Sequence, residues 1–405
     1  MATQAGRAAP SPELVRARVR GLPRRFRHES CDGLSAEWEL RVGSQRFAIA
    51  VADGACTVRE GSAASPHAVV ATEPRTWLAI DEGLITGGQA FLERRLRATG
   101  NLDLAVRLQT LFRPYRRRRR PADLDQVEVR ANGLRLSSYV LGRGDPVLLL
   151  HGLGGTKITW LPVLGPLSER HRLIIPDLPG HGASDKPRAE YTPRFYARVL
   201  RQLLHELDVE SAVVMGNSLG GRIALELAMR SPDRVAALAV LGPSVPGFRW
   251  RYLMGFTRVF PARVGTIPFP LRERWMQVLI RRLFAEPDRL PSFAYTAAAG
   301  EFIRIYRDPK ARMALFSSLR HIVTERPEPF YGSLRKIKQP TLVLFGERDR
   351  LVSPRLGVRL AQNIPGSQFV VLPDIGHVPQ FEATAQTLGA LTKFLASAPQ
   401  GKPLF

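Results

Sequence analysis

The chain has 405 residues, of which 44% are hydrophobic, and a formal net charge of +23. Its composition is typical of a globular protein rather than a disordered one, and its length predicts two or three domains. Two cysteines, Cys31 and Cys56, are too few for a disulfide framework or a cysteine-rich metal site, so we expect a reducing, cytoplasmic environment.

The positive charge comes largely from arginine and is spread over both halves of the chain. Such an excess favours anionic partners, and peripheral contact with an anionic membrane surface is one of them, although arginine-rich codon usage would also produce it. No motif of a nucleic-acid-binding fold accompanies the charge, so we expect no nucleic-acid partner. No apolar run reaches the roughly 18 residues of a membrane span. The arginine-rich start also lacks the apolar core of a secretory signal.

The first third of the chain predicts strands followed by helices, which is the order of an α+β domain. A basic amphipathic helix is predicted over residues 12–27. The predicted strands lie at 36–42, 46–52, 56–59 and 67–71, and the predicted helices at 73–81, in a long segment ending at 101, and at 102–112.

Residues 77–80 with Gly83, 90–92, 97–105 and the Leu108-x-x-Leu111-Phe112 pattern resemble the sterol carrier protein 2 family over roughly residues 12–113. The resemblance implies a lipid-binding domain at 1–113 with an apolar tunnel for acyl chains or sterols. The alternative is that the same apolar helix faces fill an ordinary core, and periodicity does not separate the two.

The stretch 113–121 reads Arg-Pro-Tyr-Arg-Arg-Arg-Arg-Arg-Pro. Adjacent like charges repel and the prolines stop regular structure, so we predict a linker at 114–125. Its arginines are either solvated or in contact with lipid headgroups, where each would add about 1 kcal/mol.

From residue 127 the pattern changes to a hairpin with an Asn132-Gly133 turn, and then to alternating strands and helices, which predicts a mostly parallel sheet. The strand at 146–150 runs into His151-Gly152-Leu153-Gly154-Gly155. The dinucleotide-binding spacing G-x-G-x-x-G fails because no glycine stands three residues after Gly154. The other interpretation of this glycine-rich turn is that it directs a backbone N–H at an oxyanion.

A second apolar strand at 212–215 ends in Gly216-Asn217-Ser218-Leu219-Gly220, and an amphipathic helix follows. On such a sharp turn the hydroxyl of Ser218 is exposed above the sheet, and the N-terminus of the helix points at the same place. The pentapeptide alone is a weak signal, since a serine at a helix start is often only a cap.

His151-Gly152, Asp177-x-x-Gly180-x-Gly182-x-Ser184 and the Ser218 pentapeptide occur in the order of the alpha/beta-hydrolase family, which the chain resembles from about 127 to 395. The resemblance implies a hydrolase domain at 126–400 with a helical cap at 247–325. No cofactor and no metal is expected.

In that family the acid and the histidine follow two later strands. Here Asp349 follows the strand at 340–345, and His377 follows the strand at 368–372. The resemblance implies Ser218 as nucleophile, His377 as general base and then acid, and Asp349 as the group that orients the imidazole. Glu347 and Asp374 are nearby competitors for the acid.

The implied oxyanion donors are the backbone N–H groups of Leu153 and Leu219. The predicted cap holds 13 of the 32 aromatic residues and 14 Arg and Lys against 6 Asp and Glu. We interpret its aromatic residues as the lining of an acyl pocket or as a surface for a bilayer, and ordinary helix packing accounts for part of them.

Taken together, the sequence predicts a serine hydrolase of lipophilic carboxylic esters that works through an acyl-enzyme. A carbon–carbon bond hydrolase and an acyltransferase are the alternatives within the same fold. A lipid carrier that lacks catalysis is the alternative from another class. The N-terminal domain is expected to hold or deliver the acyl substrate.

Overall fold

The structure is a computed structural model that describes residues 10–28, 33–115, 124–247, 272–290 and 292–403. The chain divides into two compact units, Met1–Asp125 and Gln126–Phe405. Cys31, the arginine run at 116–120 and the first part of the predicted cap, 248–271, lie outside the described residues.

The first unit contains a five-stranded sheet. Its strands are β1 (Ala36–Val42), β2 (Gln45–Ala52), β3 (Ala55–Glu60), β4 (Ala68–Thr72) and β5 (Leu96–Gly100). The spatial order is β3-β2-β1-β4-β5, and every pairing is antiparallel except that between β1 and β4. The sheet and helices of this unit confirm the predicted α+β class.

The predicted helical segment ending at residue 101 is wrong in its second half. A short helix ends at Leu92, and β5 then pairs antiparallel with β4. Leu96 and Ala98 are buried, whereas Arg97 and Thr99 are exposed. This alternation has the period of two that a strand with one buried face requires.

The helices of the first unit are α1 (Pro12–Arg20), α2 (Pro74–Asp81), α3 (Gly87–Leu92) and α4 (Leu102–Thr110). The helix predicted over 12–27 stops at Arg20, and only a 3₁₀ turn, Pro23–Arg25, follows. Ser11 caps α1 and Asn101 caps α4, each by accepting a backbone N–H three residues on. Trp38 is fully buried and donates its indole N–H to the Leu104 carbonyl, which joins β1 to α4.

The second unit contains a nine-stranded sheet. Its strands are β6 (Asp125–Ala131), β7 (Leu134–Leu141), β8 (Asp145–Leu150), β9 (His171–Pro176), β10 (Val209–Asn217), β11 (Val235–Leu241), β12 (Thr341–Gly346), β13 (Gln368–Leu372) and β14 (Lys402–Pro403). The main order is β13-β12-β11-β10-β8-β9-β7-β6, with β14 on β10. The strands from β13 to β9 run parallel, which confirms the predicted mostly parallel sheet.

Outside the cap, helices of the second unit alternate with its strands, as the sequence predicts. The helices described in this unit are α5 (Leu161–Ser168), α6 (Pro193–Glu206), α7 (Leu219–Arg230), α8 (Glu273–Arg281), α9 (Ser292–Tyr306), α10 (Pro309–Thr324), α11 (Pro327–Ser333), α12 (Pro354–Asn363), α13 (Pro379–Glu382) and α14 (Thr384–Ser397). Strands β8, β10, β11 and β12 are nearly all buried, because a central parallel sheet is covered on both faces.

Helices α8, α9 and α10 form the described part of the cap between β11 and β12. Phe284, Tyr295 and Tyr306 are buried, whereas Trp275 is 63% exposed. Three of the six cap aromatics whose burial is described are therefore buried, and Phe302 and Phe316 are partly buried, so packing accounts for part of the cap aromatics. Within the described ranges, none of the helices is long and apolar enough to cross a bilayer.

Candidate active site

The candidate nucleophile lies where β10 passes into α7. Ser218 has φ 54° and ψ −117°, a strained conformation for a residue with a side chain. A Cβ added to Gly216 would lie 2.3 Å from the backbone of Gly220, and one added to Gly220 would lie 2.2 Å from the Leu150 carbonyl oxygen. Strand and helix thus approach backbone to backbone, which only glycine allows.

Two backbone segments adjoin Ser218. Leu219 is the first residue of α7, where a backbone N–H has no acceptor within the helix. Gly152 accepts a hydrogen bond from the Gly155 N–H, and Gly154, between them, has φ 77°, as a type II turn requires. A Cβ on Gly152 would lie 3.1 Å from the Cβ of Ser218, so this turn lies directly against the serine.

His151 fixes the turn that carries Leu153. Its Nε2 accepts the backbone N–H of Leu178 at 2.9 Å, so the proton of the neutral ring is on Nδ1, which donates to the Gly152 carbonyl at 2.8 Å. Burial lowers the pKa of His151. This histidine is a neutral structural link that holds the loop in shape.

Asp349 and His377 form a buried hydrogen-bonded pair. The Nδ1 atom of His377 lies 2.7 Å from Oδ2 of Asp349, and both residues are less than a tenth exposed. The other carboxylate oxygen, Oδ1, accepts the backbone N–H groups of Leu351 and Val352. The carboxylate is therefore held by three donors, and its orientation toward the imidazole is fixed.

The two competitors for the acid do not contact His377. Glu347 accepts the backbone N–H of Asp374, and Asp374 forms an ion pair with Arg348. Both carboxylates stabilise the loop that follows β13.

The segment carrying His377 is attached both to the nucleophile turn and to the cap. The side-chain amide of Asn217 donates to the carbonyls of His377 and Leu241, at 3.1 and 3.0 Å. The backbone N–H of His377 donates to the carbonyl of Leu283, just after α8, at 2.7 Å. Glu382 accepts N–H groups from Gly376 and from Glu286, and so joins the same two segments.

The outer nitrogen of the imidazole, Nε2 of His377, is buried and has no hydrogen-bond partner among the described residues. The hydroxyl of Ser218 is hydrogen-bonded instead to the hydroxyl of Ser244, at 3.0 Å, and the backbone N–H of Ser244 donates to the Ser218 carbonyl. Sequence reasoning missed Ser244. The available signal was its position just after the carboxyl end of β11, where functional residues of parallel sheets gather.

A buried ion pair supports the oxyanion-loop side of the site. Lys157 and Asp177, each 1% exposed in their side chains, are 2.7 Å apart. Asp177 also accepts the backbone N–H groups of Lys157 and Ala183. Burial acts to raise the pKa of Asp177, but the charge of Lys157 and the two hydrogen bonds that Lys157 donates, among other interactions, together outweigh burial and hold the pKa below its usual range.

A second charged cluster joins the helix behind the nucleophile to the cap. Arg222, one turn after Ser218 and 4% exposed, pairs with Glu226 on the same helix and with Glu325 at the end of α10. Arg222 also lies 4.6 Å from the ring centre of Phe330. This buried cluster fixes one end of the cap to α7.

The fold and the nucleophile turn define a protein of the alpha/beta hydrolase class. Residues 145–384 match the sequence model of the alpha/beta hydrolase fold, and residues 27–113 match that of the SCP-2 sterol transfer family. Since the first match covers more than half of the chain, the chain belongs to the alpha/beta hydrolase family, with an N-terminal SCP2 domain.

Known relatives include ester hydrolases and carbon–carbon bond hydrolases. Lipase 1 of Psychrobacter immobilis is 30% identical over 248 residues, which are 60% of this chain and 74% of that lipase. The 2-hydroxymuconate semialdehyde hydrolase of Pseudomonas sp. strain CF600 is 28% identical over 276 residues, 67% of this chain and 94% of that enzyme. A thermophilic esterase from Thermogutta terrifontis has a similar structure, with a TM-score of 0.58 and 26% identity over 67% of this chain and 98% of the esterase.

Proposed function

We propose that this protein is a serine hydrolase that cleaves carboxylic esters of lipophilic acids through an acyl-enzyme. The observation that carries the proposal is the buried Asp349–His377 pair. It leaves Nε2 of the imidazole without a partner among the described residues and is tied through Asn217 to the turn that bears Ser218. A nucleophile, a base and a group that orients the base are the parts that acyl transfer needs.

In the proposed acylation step, Oγ of Ser218 attacks the ester carbonyl carbon while Nε2 of His377 takes the hydroxyl proton. The backbone N–H groups of Leu153 and Leu219 donate to the oxygen that becomes negative, and each donor lowers the barrier by about 3 kcal/mol. When the carbon–oxygen bond to the alcohol breaks, the Nε2 proton passes to the departing alkoxide.

In the proposed deacylation step, water loses a proton to Nε2 and attacks the acyl carbon. The carboxylic acid then leaves, and the proton returns to Ser218. Asp349 keeps the Nδ1 proton directed toward itself and stabilises the charged imidazolium in both steps. An alcohol in place of water would make the reaction an acyl transfer.

The lipophilic acyl group is supported by the relatives named as lipases and by the SCP2 domain. We infer that the N-terminal unit holds or delivers the acyl chain. Deleting residues 1–120 is expected to lower turnover of long-chain esters and to leave short-chain turnover intact. Unchanged long-chain turnover would contradict this role.

A p-nitrophenyl ester series of rising chain length tests the main proposal. We expect turnover that increases with chain length, loss of at least about a thousandfold in kcat for Ser218→Ala, and fluorophosphonate labelling that the same variant abolishes. Ser397→Ala, which alters an exposed serine on α14, is the matched control. If wild-type protein neither hydrolyses esters nor takes the label, the proposal is wrong.

A carbon–carbon bond hydrolase is the second candidate, because the 2-hydroxymuconate semialdehyde hydrolase matches over 94% of its length. 2-Hydroxymuconate semialdehyde, followed by its absorbance, is the substrate that distinguishes the two. Cleavage of this compound with no ester turnover would favour the second candidate.

A further inference from the structure

We propose that helix α8 of the cap docks on an anionic phospholipid bilayer. Three apolar side chains of this helix are exposed: Trp275 at 63%, Val278 at 52% and Leu279 at 43%. We call these three residues the apolar stripe. They are spaced i, i+3 and i+4, so they lie on one face of the helix. The opposite face, with Met276 buried, packs on α9.

Exposed arginines surround the apolar stripe. Arg272 lies one turn before Trp275, with its guanidinium carbon 5.3 Å from the indole centre, and Arg282 lies one turn after Val278 and Leu279. Since each residue turns a helix by 100°, Arg272 and Arg282 lie on the same face as the apolar stripe, and Arg274 lies at the edge of that face. Arg281, in contrast, is engaged by Asp288 and by the ring of Tyr295.

An apolar helix face bordered by arginines fits the boundary between headgroups and acyl chains. The indole ring is favoured at that depth, and the arginines can reach the phosphates while their stems cover apolar surface. A second copy of this chain is a poor occupant, because it would bring two arginine borders and two chains of charge +23 together.

The stripe lies a few residues before a segment that contacts the histidine of the candidate site. Leu283, two residues after the end of α8, accepts the backbone N–H of His377. Phe284 packs with Tyr295 against Val378, the residue after the histidine. Docking through α8 would therefore hold the histidine loop near the lipid surface. This inference goes beyond the proposed hydrolysis, because vesicle binding needs no turnover.

Co-flotation of the full-length chain with vesicles tests the inference. We use phosphatidylcholine vesicles with and without about 30% phosphatidylglycerol, at about 0.15 M salt, where distant exposed charges are screened. We expect binding to the mixed vesicles and weaker binding to pure phosphatidylcholine. The triple variant Trp275→Ser, Val278→Ser, Leu279→Ser should bind at least about tenfold more weakly. Replacing Arg272, Arg274 and Arg282 by Gln should remove the preference for phosphatidylglycerol.

The matched control replaces two exposed valines elsewhere in the same unit, Val358 and Val371, which are 43% and 40% exposed. Val358→Ser with Val371→Ser should bind like the wild type, and the melting temperature of every variant checks its fold. Ser218→Ala should also bind like the wild type, which separates this inference from the proposed catalysis.

Two results would overturn the inference. The first is that wild-type protein does not bind the mixed vesicles. The second is that the triple variant binds them as tightly as the wild type; if that variant also changes the oligomeric state in light scattering, the stripe is assigned to a second copy.

Discussion

Ser244 holds the candidate nucleophile at two points. Its hydroxyl lies 3.0 Å from the hydroxyl of Ser218, and its backbone N–H donates to the Ser218 carbonyl oxygen. While the Ser218 hydroxyl is hydrogen-bonded to Ser244, Nε2 of His377 has no partner among the described residues. Rotation of the Ser218 side chain toward the imidazole would exchange one partner for the other.

Ser244→Ala is expected to speed the reaction of Ser218 with a fluorophosphonate probe. Removing the hydroxyl removes the competing hydrogen bond, worth about 1 kcal/mol, which corresponds to roughly a fivefold faster labelling rate. The rate is measured under pseudo-first-order conditions. Ser244→Thr keeps a hydroxyl and should label at the wild-type rate. Slower labelling of Ser244→Ala would mean that Ser244 assists the attack.

Asp349→Asn is expected to abolish most activity without unfolding the protein. Oδ1 of residue 349 must still accept two backbone N–H groups, so the amide nitrogen has to face His377. Nδ1 must then accept a hydrogen bond, and the imidazole proton moves to Nε2, the atom that should take the serine proton. We expect kcat to fall by about 10⁴, with an unchanged melting temperature.

The nearby carboxylate of Asp374 provides the control for Asp349→Asn. Asp374→Asn removes only an ion pair with Arg348, so its kcat should stay within about twofold of the wild type, because exposed ion pairs contribute little. If Asp374→Asn lost as much activity as Asp349→Asn, the assignment of the orienting acid would be wrong.

Lys157→Met is expected to lower the free energy of unfolding by about 3–5 kcal/mol, because it leaves Asp177 charged and unpaired in the interior. Urea unfolding at pH 7 measures the loss. The double variant Lys157→Met, Asp177→Asn removes both charges and should be more stable than the single variant. The exposed Lys336→Met should stay within about 0.5 kcal/mol. If the urea midpoint of Lys157→Met equals that of the wild type, the conclusion that Lys157 neutralises the buried charge of Asp177 would be wrong.

The acid lability of the protein should depend on His181, which is fully buried beside His151. Burial lowers the pKa of His181 to about 3, whereas an unfolded histidine titrates near 6.5. Between these values the unfolded chain binds the proton and the folded chain does not, so stability falls as the pH falls from about 6.5 toward 3.

His181→Asn can still donate to the Pro179 carbonyl and does not titrate. Between pH 6.5 and 4, the unfolding free energy of this variant should depend on pH less steeply than that of the wild type. The two slopes should differ by up to about 1.4 kcal/mol per pH unit. Urea unfolding across this range is the measurement, and the exposed His205→Asn is the control. Parallel slopes for His181→Asn and wild type would contradict the prediction.

The strands of the second unit were predictable because burial on both faces leaves an uninterrupted apolar run, as in β8, β10 and β12. The resemblance to the alpha/beta-hydrolase family then directed attention to Ser218, Asp349 and His377, which follow strands β10, β12 and β13. The pairing of the last two is now described, and the catalytic roles of all three stay predictions.

Other features were hidden from the sequence for identifiable reasons. The strand at 96–100 was missed because its alternation is short and directly follows a helix. The pair of Lys157 with Asp177, and the contact of Ser244 with Ser218, join residues 20 and 26 positions apart through the fold, without a motif. The number of aromatic residues in the cap did not tell which of them face outward; among those whose burial is described, Trp275 is the one that does.

The glycine contacts at the nucleophile turn distinguish positions that tolerate no substitution from positions that can be substituted. At Gly216 and Gly220 even one methyl group would collide with main-chain atoms, so substitutions there cannot adjust the chemistry by degrees. New substrate preferences would have to arise elsewhere around the site, and the side chains of the cap helices are the first place to expect them. Directed evolution of this protein should therefore yield its gains in the cap and leave the turn untouched.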